Sequence, residues 1–242
     1  MSYQNVSLTK YLMMIADTKP TPGGGSVAAY AGALGAALAE MVISLTLRRA
    51  QGGEPFGSEL RAELQRRTAL KKKPGLPRFY RGLPCPDSIG ALRNYLKHFH
   101  QTGRILARLS ELDSRAYDDV CAAYRAQNQT DLQKKKRTQR IQKAMKQAAD
   151  IPGRTLKICF ANLQLMNQLI NLINRNAITD LGVGILLTQS AFTGCKMNVE
   201  VNLKYIKDKN FTGRTAKEMA GLEKKSNALF KNTIRQVRGK IK

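Results

Sequence analysis

Tryptophan is absent from this chain, and histidine occurs only twice, at His98 and His100. Aromatic residues make up 6% of the whole, with no run of them and no recognisable nucleic-acid motif, so the stacking surfaces that read bases are missing. The four cysteines, Cys85, Cys121, Cys159 and Cys195, stand far apart with no CxxC pair, and two histidines do not complete a metal site. No metal is expected, and the cysteines read as reduced thiols of a cytoplasmic protein. Thr9, Lys10 and Asp17 interrupt the apolar stretch that a secretory signal needs, which disfavours secretion. Acidic residues are scarce as well. Asp and Glu number 17 against 41 Lys and Arg, a net charge of +24. Such a surface attracts carboxylates, phosphates, nucleic acid or anionic lipid and says little about fold.

What is present is enough apolar material for a core. Hydrophobic residues form 43% of 242, which excludes disorder throughout, and Gly and Pro stand near ordinary usage. The stretch from Ser26 to Leu47 has the length of a membrane span and one charge, Glu40. It is built largely of Ala and Gly, which gain little on transfer to lipid but let another helix come close, so a core helix of a soluble bundle is expected rather than a membrane span.

Helical periodicity dominates. Leu8, Tyr11, Leu12 and Ile15 mark a short first helix ending before Lys19-Pro20-Thr21-Pro22. Pro22, Gly23, Gly24, Gly25 and Ser26 form a turn, with Ser26 placed to cap the small-residue helix running to about Arg49. Residues 50–92 are broken by Gly and Pro and carry basic clusters, so they read as an irregular basic insertion with one short helix between Leu60 and Leu70. From Leu92 the helical stripe returns through Ile105, Leu109, Leu112, Ala116, Val120 and Tyr124. A lysine-rich helix with one narrow apolar face, Ile141 and Met145 among it, precedes Pro152. Leu156 to Ile173 is apolar on nearly all sides and belongs at the centre. Thr179 and Asp180 open a further helix that Gly194 is expected to end, Asn198 to Leu203 reads as helix, and the last 30 residues form a basic amphipathic helix. The predicted fold is one all-α domain over 1–242, an antiparallel helical bundle interrupted by 50–92.

Several of these stretches resemble a known family. The segment from Leu8 through Pro20-Thr21-Pro22-Gly23-Gly24-Gly25-Ser26-Val27-Ala28-Ala29 to Leu45-Thr46 is similar to the start of the folate cyclodeaminase/cyclohydrolase family. Leu112-Asp113-Ser114-Arg115-Ala116-Tyr117, Asn176-Ala177-Ile178-Thr179-Asp180-Leu181-Gly182-Val183 and Asn198-Val199-Glu200-Val201-Asn202-Leu203 follow in the same order and spacing. The resemblance covers nearly the whole chain outside 50–92, where this sequence is longer than the family pattern. It implies an all-helical fold, a homodimer or larger assembly, and a tetrahydrofolate derivative as substrate, with no metal and no tightly bound cofactor.

Either reaction of that family moves a proton on or off a nitrogen or oxygen, and one carboxyl of suitable pKa serves both. Asp113 is the candidate: it shares a helix face with Tyr117 and Cys121, which should desolvate it and raise its pKa. The alternative is a structural Asp bonded to a backbone amide or to an Arg across the bundle. The turn from Pro22 to Ser26 offers backbone N–H groups to a folate carboxylate or pterin, or is simply a tight connection. Asn176 and Asp180 sit at a helix start, where capping competes with lining the pocket. The third motif adds Asn202 as a substrate-binding candidate, and Lys204 and Lys207 just beyond it suit the glutamate tail of a folate, including a polyglutamylated one. The resulting expectation is formimidoyltetrahydrofolate cyclodeaminase, with methenyltetrahydrofolate cyclohydrolase as the alternative. A basic nucleic-acid-binding module and a non-catalytic family relative are the readings of another class.

Overall fold

The computed structural model describes residues 3–50 and 88–241. The described chain consists of helices α1 (Leu8–Ala16), α2 (Gly24–Ala50), α3 (Ser88–Tyr124), α4 (Asp131–Leu169), α5 (Ile178–Leu203) and α6 (Lys209–Ile241), with 3-10 turns at Tyr3–Asn5 and Arg175–Ala177. Among the described residues there is no strand. The expected helix between Leu60 and Leu70, and the segment 51–87 of the expected insertion, lie outside them.

Local chemistry starts these helices where it should. The Ser7 side chain accepts the Lys10 N–H at 3.2 Å and caps α1. Thr130 and Gln133 form a reciprocal capping box at the start of α4, each side chain accepting the other's backbone N–H at 3.2 and 3.0 Å.

Neighbours alternate in direction. Ser26 meets Ser110 and Glu40 meets His100, so α2 and α3 are antiparallel. Gly24 lies by Asn198 and Gly35 by Gly184, so α2 and α5 are antiparallel too. Asn202 reaches Ala148, Thr188 reaches Met166 and Ser226 reaches Gln189, which sets α4 and α6 against α5. Helix α2 is central because its side chains are small: a Cβ at Gly35 would stand 2.8 Å from the Gly184 carbonyl, so only glycine lets the two backbones touch here. About half of its most apolar stretch, 56%, is buried inside the fold although the helix is long and apolar enough to cross a membrane. Around it Ile43, Phe99, Met166 and Leu181 fill one end of the core, and Leu106, Leu156 and Phe192 the other.

Three boundaries differ from the sequence reading. Ser88 to Gly90 are already helical, ahead of the expected start at Leu92, because Ile89 and Leu92 pack onto the core and outweigh the cost of Gly90. Gly194 does not end α5; it is an interior residue whose missing side chain admits Ala28, since a Cβ there would sit 3.2 Å from the Ala28 Cβ. Pro152 lies inside an unbroken 39-residue α4. Proline has no N–H, so the carbonyl four residues earlier loses its helical donor. That carbonyl belongs to Ala148, and the Asn202 side chain of α5 donates to it at 2.7 Å.

Candidate active site

Asp113 sits in the third quarter of α3, opposite the start of α2. Its carboxyl lies over Gly25, where a Cβ would come within 2.7 Å of Cγ, so this approach exists only because residue 25 is glycine. The Ser26 backbone N–H donates to the carboxylate, and Ser26 Oγ lies 3.5 Å from Oδ2. Two effects oppose each other there. The positive end of α2 and the Ser26 backbone N–H favour the charged form, whereas burial disfavours it. A helix terminus contributes typically 0.3 to ~2 kcal/mol, while enclosure of a carboxyl can shift its pKa by several units. Burial wins, and the Asp113 pKa is pushed up to about 6.

A hydroxyl chain backs this carboxyl. Ser26 Oγ donates to the Ser110 carbonyl at 2.6 Å, which commits its single proton. The Ser114 hydroxyl, 2.7 Å from Ser26 Oγ, must then donate to it, and the Tyr3 hydroxyl donates to Ser114 Oγ at 2.7 Å. The Tyr3 N–H donates to Glu111 Oε1 at 2.8 Å, pinning the start of the chain across α3. Three phenols run in a row beside it, Tyr11 close enough to feel the Asp113 charge: Tyr3 and Tyr11 lie 5.4 Å apart between ring centroids, Tyr11 and Tyr30 5.2 Å. On the far side stands Cys195, a buried thiol whose pKa is raised by burial, then by Cys159 and Asp113.

The sequence-predicted residues divide into those gathered here and those held elsewhere. Asp113, Gly25 and Ser26 meet, with Pro22, Gly23 and Gly24 leading into the same helix start. Ser26 is not the cap of α2: it lies inside the first turn, fully buried, and its hydroxyl points across to α3. The expected shelter from Tyr117 and Cys121 is also wrong, because Tyr117 is 43% exposed and the enclosure of Asp113 comes from α1, α2 and α5. Asp180 stands at the opposite end of α5, roughly 22 Å from Cys195 by helical rise, and Asn176 lies in the 3-10 turn before that end. Neither caps a helix through its side chain. The capping oxygen is that of Asn174, which accepts the Asn176 N–H at 3.0 Å. Asn202 is occupied by the Ala148 carbonyl. Lys204 and Lys207 are exposed on the loop after α5, which Gln142 fastens by donating to the Tyr205 carbonyl at 3.0 Å and accepting the Lys207 N–H at 2.7 Å. His98 and His100 face different neighbours, Asn162 and Glu40. Sequence reasoning missed Tyr3, Tyr11, Ser110 and Ser114. Ser110 and Ser114 flank Asp113 at helical spacing and were within reach of a periodicity argument; the two tyrosines arrive from a separate helix and were not.

Comparison with known proteins decides the family. The pattern of the family described as Formiminotransferase-cyclodeaminase matches residues 7–73 and 87–221. The chain belongs to that family. The match runs through 50–73 and 87–92 of the segment read as an insertion and breaks only at 74–86. A similar protein of the same length is the methenyltetrahydrofolate cyclohydrolase of Methylorubrum extorquens, 30% identical over 237 residues and covering 98% of both chains. The formimidoyltransferase-cyclodeaminase of Gallus gallus is 28% identical over 216 residues, which are 89% of this chain and 34% of that longer protein. The crystal structure of formiminotetrahydrofolate cyclodeaminase from Thermotoga maritima superposes with a TM-score of 0.75 over 100% of both chains at 23% identity, a likeness of fold. The family resemblance and the all-helical bundle read from the sequence are thus borne out. These relatives are folate-converting enzymes by name, and cyclodeaminase and cyclohydrolase both occur among them.

Proposed function

We propose that this protein is a folate enzyme that uses Asp113 as its single acid/base group, and that its reaction is the hydrolysis of 5,10-methenyltetrahydrofolate. The observation that carries the reading is the enclosed Asp113 carboxyl, with its pKa at about 6, over the glycine start of α2. Near neutral pH such a group is mostly charged yet takes a proton readily, the condition for moving one proton twice in a cycle. Water adds to the methenyl carbon and gives its proton to the Asp113 carboxylate. The carbon–nitrogen bond then breaks with its electron pair on nitrogen, Asp113 returns the proton to that nitrogen, and the remaining hydroxyl proton leaves to solvent as the formyl group forms.

Cyclodeamination, placed first by the sequence alone, is the second reading, and the like-folded Thermotoga maritima protein favours it. There the anilinic nitrogen attacks the formimino carbon, Asp113 takes its proton and hands it to the amino group, and ammonia leaves. The relative matched over 98% of both chains moves the order toward hydrolysis. Folate is the substrate in both, with no tightly bound cofactor, and Lys204 and Lys207 are reserved for its carboxylate tail. A cytoplasmic location belongs to the same reading.

The proposal extends to a homodimer. Val27, Leu34 and Met41, spaced by sevens on α2, remain exposed, and so do Val183, Leu186 and Val201 on α5. Their angles relative to the Gly35–Gly184 contact put both stripes on one side of the bundle, an apolar face bounded by the exposed Arg48 at the end of the α2 stripe and suited to a second copy.

The test supplies methenyl- and formiminotetrahydrofolate separately and follows the methenyl absorbance and ammonia. Loss of methenyl absorbance without ammonia is the expected result for the wild type, and Asp113→Asn should lose on the order of 10²- to 10⁴-fold in kcat. A fully active Asp113→Asn protein removes Asp113 from the mechanism, and turnover of neither substrate removes the folate reading.

A further inference from the structure

Helix α1 buries one side chain fully against the bundle. Leu8, Leu12 and Met13 are about two-thirds exposed, whereas Tyr11 is 8% exposed and is the buried residue of the helix. Its ring lies between those of Tyr3 and Tyr30. Among the described residues the enclosed Tyr11 hydroxyl and the fully buried Ser110 hydroxyl lie within reach of each other, and neither makes a hydrogen bond of good geometry. Natural proteins seldom leave a buried hydroxyl unpaired, because the lost hydration is not recovered. Here two of them stand together, Ser110 three residues before Asp113 on α3 and Tyr11 on α1, close enough to feel the Asp113 charge.

A purely structural tyrosine at this place would be served as well by phenylalanine, whose ring keeps both aromatic contacts without the unpaired oxygen. The hydroxyl therefore needs a different explanation. Ser26 and Ser114 cannot supply its partner, because their protons are fixed in the chain that runs from Tyr3 to the Ser110 carbonyl, and Tyr11 and Ser110 can share one hydrogen bond at most, which leaves one of the two O–H groups without an acceptor. The Asp113 charge and burial both hold the Tyr11 phenol protonated, burial being the larger cause, so it is a donor throughout the neutral range.

We infer that the Tyr11 hydroxyl is a second substrate-contacting group of this site: with the Ser110 hydroxyl it holds the polar atom exchanged at the one-carbon centre, water or amino nitrogen, against Asp113. The inference rests on the folate reading above and adds to it the residue that fixes where the incoming or departing atom sits. Asp113 moves the proton; Tyr11 and Ser110 set the direction from which it comes. The group that enters the site gives both hydroxyls the partner they lack in the closed bundle.

The experiment compares wild type, Tyr11→Phe and Ser110→Ala in three readouts: thermal unfolding, turnover of methenyl- and formiminotetrahydrofolate, and calorimetric binding of 5-formyltetrahydrofolate as a stable reduced folate. Tyr11→Phe is expected to unfold at the wild-type temperature or above it, since a buried unpaired hydroxyl has been removed, while kcat falls by roughly tenfold or more. Ser110→Ala should show the same split. A merely structural role gives the reverse, a lower unfolding temperature with unchanged turnover by the folded protein. Tyr11→Phe turnover and 5-formyltetrahydrofolate affinity both within about twofold of wild type overturn the Tyr11 assignment and leave the folate reading standing. A wild type that binds 5-formyltetrahydrofolate but converts neither substrate overturns the proposed reaction alone, and a weaker affinity of Tyr11→Phe then still supports the contact. A wild type that neither binds nor converts any of the three folates overturns both.

Discussion

At the scale of single residues, Asp113 makes opposite demands on stability and on chemistry. Its carboxyl has an ordinary pKa in the unfolded chain and one of about 6 in the fold, so the folded state holds the proton more tightly. A raised carboxyl contributes its full stability below the unfolded pKa, about 4, and loses that contribution as pH rises through about 6; above this the buried charge costs on the order of 3 kcal/mol. Asp113→Asn is therefore expected to be more stable than wild type at pH 8 and to lose the fall in stability between about pH 4 and 6, as denaturant titration across pH would measure. A wild type whose stability is flat over that window, matched by the variant, would show that Asp113 is not enclosed. Gly25 makes the same point by sterics. A Cβ at Gly25 meets the carboxyl itself, so Gly25→Ala must push Asp113 aside, and its activity should drop by on the order of a hundredfold while circular dichroism remains helical.

At the scale of elements, the join between Pro152 and Asn202 explains why a helix with proline at its centre does not break. Asn202 fills the acceptor that Pro152 leaves vacant at Ala148, so the motif that contains Asn202 has a structural duty independent of any ligand. Asn202→Ala should cost about 1 to 3 kcal/mol in chemical unfolding. In a Pro152→Ala background the helix supplies its own donor, so the same substitution should cost clearly less, and the coupling appears as a double-mutant cycle. Equal costs in the two backgrounds would dismiss the join. The episode also shows what could be read beforehand. Periodicity placed α1, the apolar half of α4 and the amphipathic α6 correctly, because each is decided by spacing within one segment. It misjudged Pro152, Gly194 and Ser26, whose conformations are decided by a residue on another helix: Asn202, Ala28 and Ser110 respectively. The candidate site followed the same rule. Asp113 and the glycine corner were legible from local pattern and resemblance, whereas Tyr11 acquires its meaning only when α1 folds back over α3.

At the scale of the whole molecule, the +24 charge and the apolar stripe predict responses to salt of opposite sign. Two copies joined through Val27, Leu34 and Met41 bring a large positive charge together, and that repulsion is screened as the Debye length contracts from roughly 14 Å to about 4 Å between 0.05 and 0.5 M salt. The contact itself is apolar and does not weaken. Light scattering coupled to gel filtration should therefore find a dimer that persists or tightens as salt rises, and Leu34→Lys should give a folded monomer, because a charge placed in the middle of that face has no partner. Binding to nucleic acid would behave in the contrary way, since each phosphate contact releases a counterion and affinity falls steeply with salt. Filter retention of RNA or DNA that is strong at low salt and lost at high salt, together with a monomer at every concentration, would move the charge from background to function and the stripe from interface to bare surface. A dimer that survives high salt while retention stays weak throughout assigns the charge to attracting the carboxylates of a folate, and leaves the two stripes as the surface on which the chains meet.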